Sequence, residues 1–340
     1  MKKIFILLLV LSVIACSETP GTITFLEASL LMVDDSTQLS EQMPARNIFK
    51  AKKQAEWIGV TFMDETEKKF GLYNAETQAF HTYPPPHKPF PPLYDVNSFC
   101  LLEEEVVLMG GQIESIALTY DVQETKKVKI DHGHPRYWAS KDYFDMWDNK
   151  MLVALALPPV DDFPGLFSFI EDEQPRQFLG AIPAYLKNQE GTYRDYPAFI
   201  ADREGDQLYV KLQFDTLIHA YDLRTFREEK IPIPAPRNYQ PEININKIES
   251  VEDAASMAAG KARKNPSFHW IKVVLPNVYY LYLHYDAEGD KVYTLYHYNT
   301  ATNIVVYQDV TEMLAPRMFF QEDVIWGIDA SRKLIEYRFK

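Results

Sequence analysis

The sequence predicts an all-β fold of six small antiparallel sheets set around an axis, a six-bladed β-propeller whose N-terminal strand closes the last blade. Three observations predict it. A hairpin marker recurs along the chain, two strand-like runs precede each marker, and the last unit is one strand short while the N-terminus holds a strand to spare.

The marker comes first, because a missed internal repeat misassigns the whole fold. Residues 70–77, 116–122, 217–225 and 295–302 share one plan: an apolar strand ends in Tyr73-Asn74, Tyr120-Asp121, Tyr221-Asp222 or Tyr298-Asn299, and a polar turn follows. Asn and Asp suit that turn because their side chains bond nearby backbone amides and they tolerate left-handed geometry. A second short strand follows at 78–83, 127–130, 229–233 and 303–307, which makes each unit a hairpin. Weaker copies lie at 165–170 with 176–179, and at 333–337.

Two further runs stand ahead of each hairpin: 99–102 and 106–109, 143–147 and 151–155, 198–201 and 208–212, 271–275 and 279–283. Four antiparallel strands per unit is the blade of a propeller. Markers at positions 73, 120, 169, 221, 298 and 337 count six units. The widest gap, between 221 and 298, must hold an insertion. Residues 244–264 read there as a helix, with Ser250 as N-cap, Glu252 and Asp253 in the first turn, an alanine-rich middle and Lys261, Arg263 and Lys264 toward the end. Its mild apolar face suits packing on the rim of the ring.

The last unit offers only 318–320, 324–328 and 334–339, while the segment running from 22–25 through 30–33 belongs to no unit. Pairing that segment outside 334–339 would close the ring, tie the two ends of the chain together and remove a sheet edge.

Composition agrees with a folded body. Of 340 residues, 46% are hydrophobic, 24% charged and 14% aromatic, and the net charge of −13 argues against a nucleic-acid partner. Two cysteines, Cys16 and Cys100, make no disulfide framework and no zinc cluster. Cys100, in an expected first strand, reads as a small buried hydrophobe.

The first residues read as an address. Lys2 and Lys3 precede an apolar run at 4–14 of signal-peptide length, and the run stops at Val13-Ile14-Ala15-Cys16. This resembles the lipobox of bacterial lipoproteins, which implies cleavage after residue 15 and lipid on Cys16. Residues 16–21 then form a polar tether and 22–340 a single propeller domain. Acyl chains on one cysteine anchor a protein without a transmembrane helix. Taken with the marker and the unit count, the chain resembles the six-bladed β-propeller lipoproteins of Gram-negative bacteria. The resemblance implies a lipid-anchored protein of the cell envelope, at the outer membrane, and names no activity; NHL-type, Kelch and Trp-Asp signatures are absent from the sequence.

Chemistry is expected on the face that carries the long loops at 83–94, 131–138, 181–196 and 232–270. The candidate ligand-binding residues are His87, His132, His134, Arg136, Tyr137, Trp138, Tyr239 and Trp270, since aromatics on stiff loops stack on sugars or peptide side chains while Arg and His fix orientation. The same aromatics can instead pack the loops onto one another. His132 and His134 could converge on a metal, but no second histidine pair accompanies them, and the expectation is no metal and no cofactor. The favoured function is a binding or scaffold module for a glycan, a peptide or an envelope partner. The alternatives are a propeller hydrolase or lyase with residues converging at the central channel, and a structural subunit of an envelope complex.

Overall fold

The computed structural model describes residues 23–339 apart from 45–47, 65–66, 84–95, 103–104, 111–115, 122–124, 130–137, 157–164, 172–173, 182–198, 213–214, 240–265, 314–317, 322–323 and 330. Among the described residues every long regular element is a strand. Two come first, β1 (Thr24–Glu27) and β2 (Leu31–Gln38). Four sheets of four strands follow in chain order. They are β3 (Ile48–Gln54), β4 (Trp57–Asp64), β5 (Glu67–Asn74) and β6 (Phe80–Tyr83); β7 (Val96–Leu101), β8 (Glu105–Gly110), β9 (Ile116–Asp121) and β10 (Thr125–Lys129); β11 (Trp138–Trp147), β12 (Lys150–Ala156), β13 (Phe167–Glu171) and β14 (Gln174–Leu179); β15 (Phe199–Glu204), β16 (Gln207–Leu212), β17 (Leu217–Asp222) and β18 (Glu228–Pro232). The next strands, β19 (Ser267–Val274), β20 (Asn277–Tyr285), β21 (Lys291–Asn299) and β22 (Ile304–Asp309), take β1 as a fifth. Finally β23 (Met318–Gln321), β24 (Val324–Ile328) and β25 (Lys333–Phe339) take β2, in the order β2-β25-β24-β23.

The sheets are set around an axis rather than stacked as a sandwich. First strands of successive sheets meet, β3 with β7, β7 with β11, β11 with β15, β15 with β19, and β23 with β3. The apolar core is divided among the interfaces between neighbouring sheets. Leu152, Phe169, Leu208 and Tyr221 fill one, Ile218, Tyr280 and Tyr296 the next, Leu295, Ile325 and Tyr337 a third, Ile58, Tyr73 and Trp326 a fourth, and Phe70, Phe99 and Leu108 a fifth. This is a β-propeller. Its second strands lie between two neighbours, so their burial runs almost unbroken instead of alternating, as in β4 and β16. At Gly71 in β5 an added Cβ would lie 2.2 Å from the Phe80 ring, so glycine is what lets that ring lie across the strand.

The marker residues close the hairpins by the mechanism their chemistry suggests. Asn74 Oδ1 accepts the amides of Glu76 and Thr77, Asp222 Oδ1 those of Arg224 and Thr225, and Asn299 Oδ1 those of Ala301 and Thr302. Four residues beyond each marker, Gln78, Phe226 and Asn303 adopt left-handed backbone and turn the chain into the fourth strand.

Two expectations are corrected in detail. The sequence suggests six four-stranded blades; the structure has five four-stranded sheets, and the strands β19–β22 form a five-stranded one. The extra strand comes from the N-terminal segment, which does not act as one closing strand. Its first part, β1, runs parallel along β22 with Thr24 opposite Ile304. Its second part, β2, pairs antiparallel with β25, Leu31 opposite Phe339 and Val33 opposite Tyr337. The turn at 28–30 separates the two, and Gln308 Oε1 holds it by accepting the amides of Leu30 and Leu31. The helix expected at 244–264 lies outside the described residues.

Candidate functional site

The first strands bring an ionic group toward the axis. Lys52 of β3, Cys100 of β7, Tyr143 and Asp145 of β11 and Arg203 of β15 converge near the strand ends that lead into the short turns. Asp145 is the hub: its carboxylate accepts from Cys100 Sγ at 3.2 Å, Arg203 Nε at 2.6 Å, Tyr143 Oη at 3.3 Å and its neighbour Met146 N at 2.9 Å, with Lys52 Nζ at 3.9 Å. Arg203 also donates to the carbonyls of Gly205 and Met146, which fixes the guanidinium in one orientation. Burial acts against ionisation of Asp145, yet the charges of Lys52 and Arg203 and the bonds it accepts hold its carboxyl below the usual carboxylate range. Beside this group Lys272 of β19 bridges Asp202 at 3.4 Å and Glu204 at 2.5 Å.

Cys100 is no nucleophile here. Its thiol is 5% exposed, burial pushes it up to about 11, and it is a donor to a carboxylate. The inner-strand group is thus a lattice of ion pairs on β3, β11, β15 and β19, with the Cys100 thiol of β7 donating into it.

A second cluster lies at the opposite end, where the long loops join. Lys211, an isolated charge in the apolar run of β16, is fully buried, donates to the carbonyls of Leu212 and Asp215, and lies 3.9 Å from the centre of the Phe268 ring. Burial brings its amine down to about 7, against the pull of the Asp215 charge. His219 stands between Asp215 and Glu228, at 3.2 and 2.5 Å. Tyr239 packs its ring on Phe268 and Tyr282 with centroids 6.1 and 6.3 Å apart, and its hydroxyl is buried with no hydrogen-bond partner among the described residues.

A pH dependence follows from Lys211. Its folded value of about 7 lies below the ordinary 10.5, so between the two the unfolded chain binds more protons and stability rises with pH. The Lys211→Met variant is expected to lose that rise and to exceed the parent in stability below pH 7. Urea titrations of both proteins at pH 6 and pH 10 check it, and equal slopes with pH would contradict the buried amine.

Of the sequence candidates, Tyr239 and Trp270 are placed with their side chains, and the fold does not bring them together. Tyr239 joins the core between β15–β18 and β19–β22, while Trp270 packs on the other side of β19–β22, against the cluster of Leu281 and Leu295. Trp138 begins β11, with its backbone opposite Ala156. His87, His132, His134, Arg136 and Tyr137, and Cys16, lie outside the described residues. Sequence reasoning missed Lys52, Asp145, Arg203, Lys272 and Lys211. A faint signal exists, a lone charge inside or near the end of an apolar strand, but nothing in one dimension says that these strands face one another.

No family model matches the chain, and no curated protein matches it. Its fold is shared. A Bacteroides fragilis NCTC 9343 protein taken to be exported superposes with a TM-score of 0.55 at 11% identity, over 94% of this chain and 100% of that one. The β-propeller domain of Myceliophteria thermophila Cps50 (Swd1) gives a TM-score of 0.40 at 8% identity, over 86% and 99% of the two chains. At 11% identity the likeness to the Bacteroides fragilis protein is one of fold alone. Among the described residues no group of three or more His, Cys, Asp or Glu is placed to hold a metal ion, and no helix is long and apolar enough to cross a membrane.

Proposed function

We propose that the chain is a lipid-anchored envelope protein whose propeller is a binding and scaffold module for a glycan, a peptide or an envelope partner. The observation that carries this reading is the mutual satisfaction of the inner-strand charges around Asp145. Groups committed to one another in this way stiffen the ring and do not wait on a substrate. A stiff ring suits a role in presenting binding residues carried on its connecting segments. In this reading the five-stranded sheet counts as a sixth blade with one strand added. The exported assignment of the Bacteroides fragilis neighbour supports an extracytoplasmic address, and the Val13-Ile14-Ala15-Cys16 sequence supports the anchor.

Fractionation of cells expressing the full chain tests the anchor. The parent is expected with the membranes and the Cys16→Ser variant in the soluble fraction; a parent found soluble, or a variant retained on membranes, overturns it. The module reading is tested by thermal shift of the purified protein against glycan and peptide panels, where stabilisation without turnover is the expected result and turnover of the stabilising ligand would reassign the protein as an enzyme.

A further inference from the structure

Among the described residues, exposed large apolar side chains are few and are not scattered. They are Ile23, Leu26, Met32, Val274, Leu275 and Ile304, at 36–57% exposure. All but Met32 belong to the five-stranded sheet, to its β19–β20 turn or to the residue that leads into β1. Four of them, Ile23, Val274, Leu275 and Ile304, lie at one end of that sheet, where β19 turns into β20 and β21 turns into β22.

Backbone bonds fasten these pieces into one surface. The amide of Thr300 donates to Pro276 O at 2.9 Å and its hydroxyl to the same oxygen at 3.1 Å, which joins the two turns. The amide of Thr24 donates to Asn303 O at 3.1 Å, which brings the start of β1 alongside them. The polar side chains within the turns are used internally: Asn277 Oδ1 accepts from Asn299 Nδ2 at 3.1 Å and lies 2.9 Å from His297 Nε2, and Asn299 Oδ1 accepts the amides of Ala301 and Thr302.

The two turns also carry no charge. Leu275-Pro276 and Thr300-Ala301-Thr302-Asn303 are neutral throughout, whereas in the sequence every other connection between first and second or third and fourth strands holds an acidic or basic residue: Glu56, Glu103, Asp148, Asp206 and Glu322 in the first kind, Glu76, Glu124, Asp172 and Arg224 in the second. On a chain of net charge −13 this is a neutral, apolar spot in an acidic surface, where repulsion from an anionic bilayer is least.

The tether arrives at the same place. β1 runs parallel to β22, so it starts at the turn end, and Ile23 stands seven residues from Cys16, a span of at most about 25 Å. We propose that Ile23, Val274, Leu275 and Ile304 form a membrane-contact surface that rests on the lipid bilayer beside the anchor. The proposal rests on the lipid-anchored reading and deepens it by giving the ring an orientation: the short-turn end of β19–β22 faces lipid, and the long-loop end faces away. One acylated cysteine plus an apolar contact is the two-signal arrangement that stabilises peripheral attachment.

An environment-sensitive fluorophore on a single introduced cysteine tests this. The full chain is purified from membranes and reconstituted in phosphatidylethanolamine–phosphatidylglycerol vesicles with brominated acyl chains, labelled at Leu275→Cys or, at the opposite end of the same sheet, at the exposed Glu288→Cys. The expected result is blue-shifted, bromine-quenched emission at 275 and water-like, unquenched emission at 288. Equal emission at the two positions, or quenching confined to 288, overturns the proposal. The mass of the peptide containing Cys16 reports lipidation separately. If Cys16 is lipidated and the 275 probe stays in water, the contact surface is wrong and the anchor stands; if Cys16 is unmodified yet the 275 probe alone responds to added vesicles, the anchor is wrong and the contact surface stands.

Discussion

Replacing Arg203 by methionine is expected to lower the stability of the folded chain by about 3 kcal/mol, the low end of the range for breaking a buried ion pair. The low end applies because 23% of the Arg203 side chain remains exposed against 12% of Asp145. The methionine keeps most of the stem volume but leaves Asp145, among the described residues, with Lys52 at 3.9 Å as its one remaining cationic partner. It also frees the carbonyls of Gly205 and Met146. Removing both charges in Arg203→Met with Asp145→Leu is expected to recover much of the loss, since the cost lies in the orphaned carboxylate rather than in the missing attraction. The pH dependence has a definite sign. The folded carboxyl of Asp145 titrates below its ordinary 3.8, so its contribution is complete above that value and is lost as pH falls through the lowered folded one. The parent should therefore lose stability in acid more steeply than Arg203→Met. Urea denaturation at pH 7 and pH 3 measures both effects; a single-variant cost within about 0.5 kcal/mol, the range of ordinary surface changes, would show that the ionic lattice does not hold the inner strands.

The second large effect is at the closure. Leu31 of β2 is 2% exposed and packs with Leu281, Leu295, Ile325 and Tyr337, so it seals the interface between the five-stranded sheet and the sheet it completes. Leu31→Ala is expected to cost about 3 kcal/mol from lost burial and the cavity left behind. The next residue, Met32, is 42% exposed, and Met32→Ala is expected to change stability by less than about 0.5 kcal/mol. The pair differ by one position along a strand and by the side of the sheet they occupy. Hydrogen exchange gives the sharper readout: in Leu31→Ala the amides of β2 and β25 should lose protection together while those of β15–β18 keep theirs. If only β2 exchanges faster, the strand is a decoration and not a closure.

The repeat was legible because its punctuation is local. Asn74, Asp222 and Asn299 act on amides two and three residues away, so the chemistry that turns the hairpin is written within a few positions of itself. The strand runs before each marker were legible for a related reason: burial on both faces of second strands such as β16 leaves continuous apolar stretches. The axial lattice was not legible. Lys52, Cys100, Asp145 and Arg203 are separated by about fifty residues each, and their meeting depends on the ring already being closed. The split of the N-terminal segment was hidden too, because what divides β1 from β2 is a side-chain amide, Gln308, nearly 280 residues away. Of the proposed binding residues, Tyr239 has its ring in the packing between two sheets, a placement that one-dimensional sequence does not reveal.

The order β1 then β2 along the chain has a mechanical meaning. Were the chain held at Cys16, as proposed, a pull there would reach β1 before β2, and β1 grips its neighbour over four residue pairs where β2 grips over seven. Tension on the leash therefore loads the shorter grip first. In that lipid-anchored reading its release would let out slack while the wheel stays shut, and β1 would act as a fuse between the surface that tugs and the clasp that must not open.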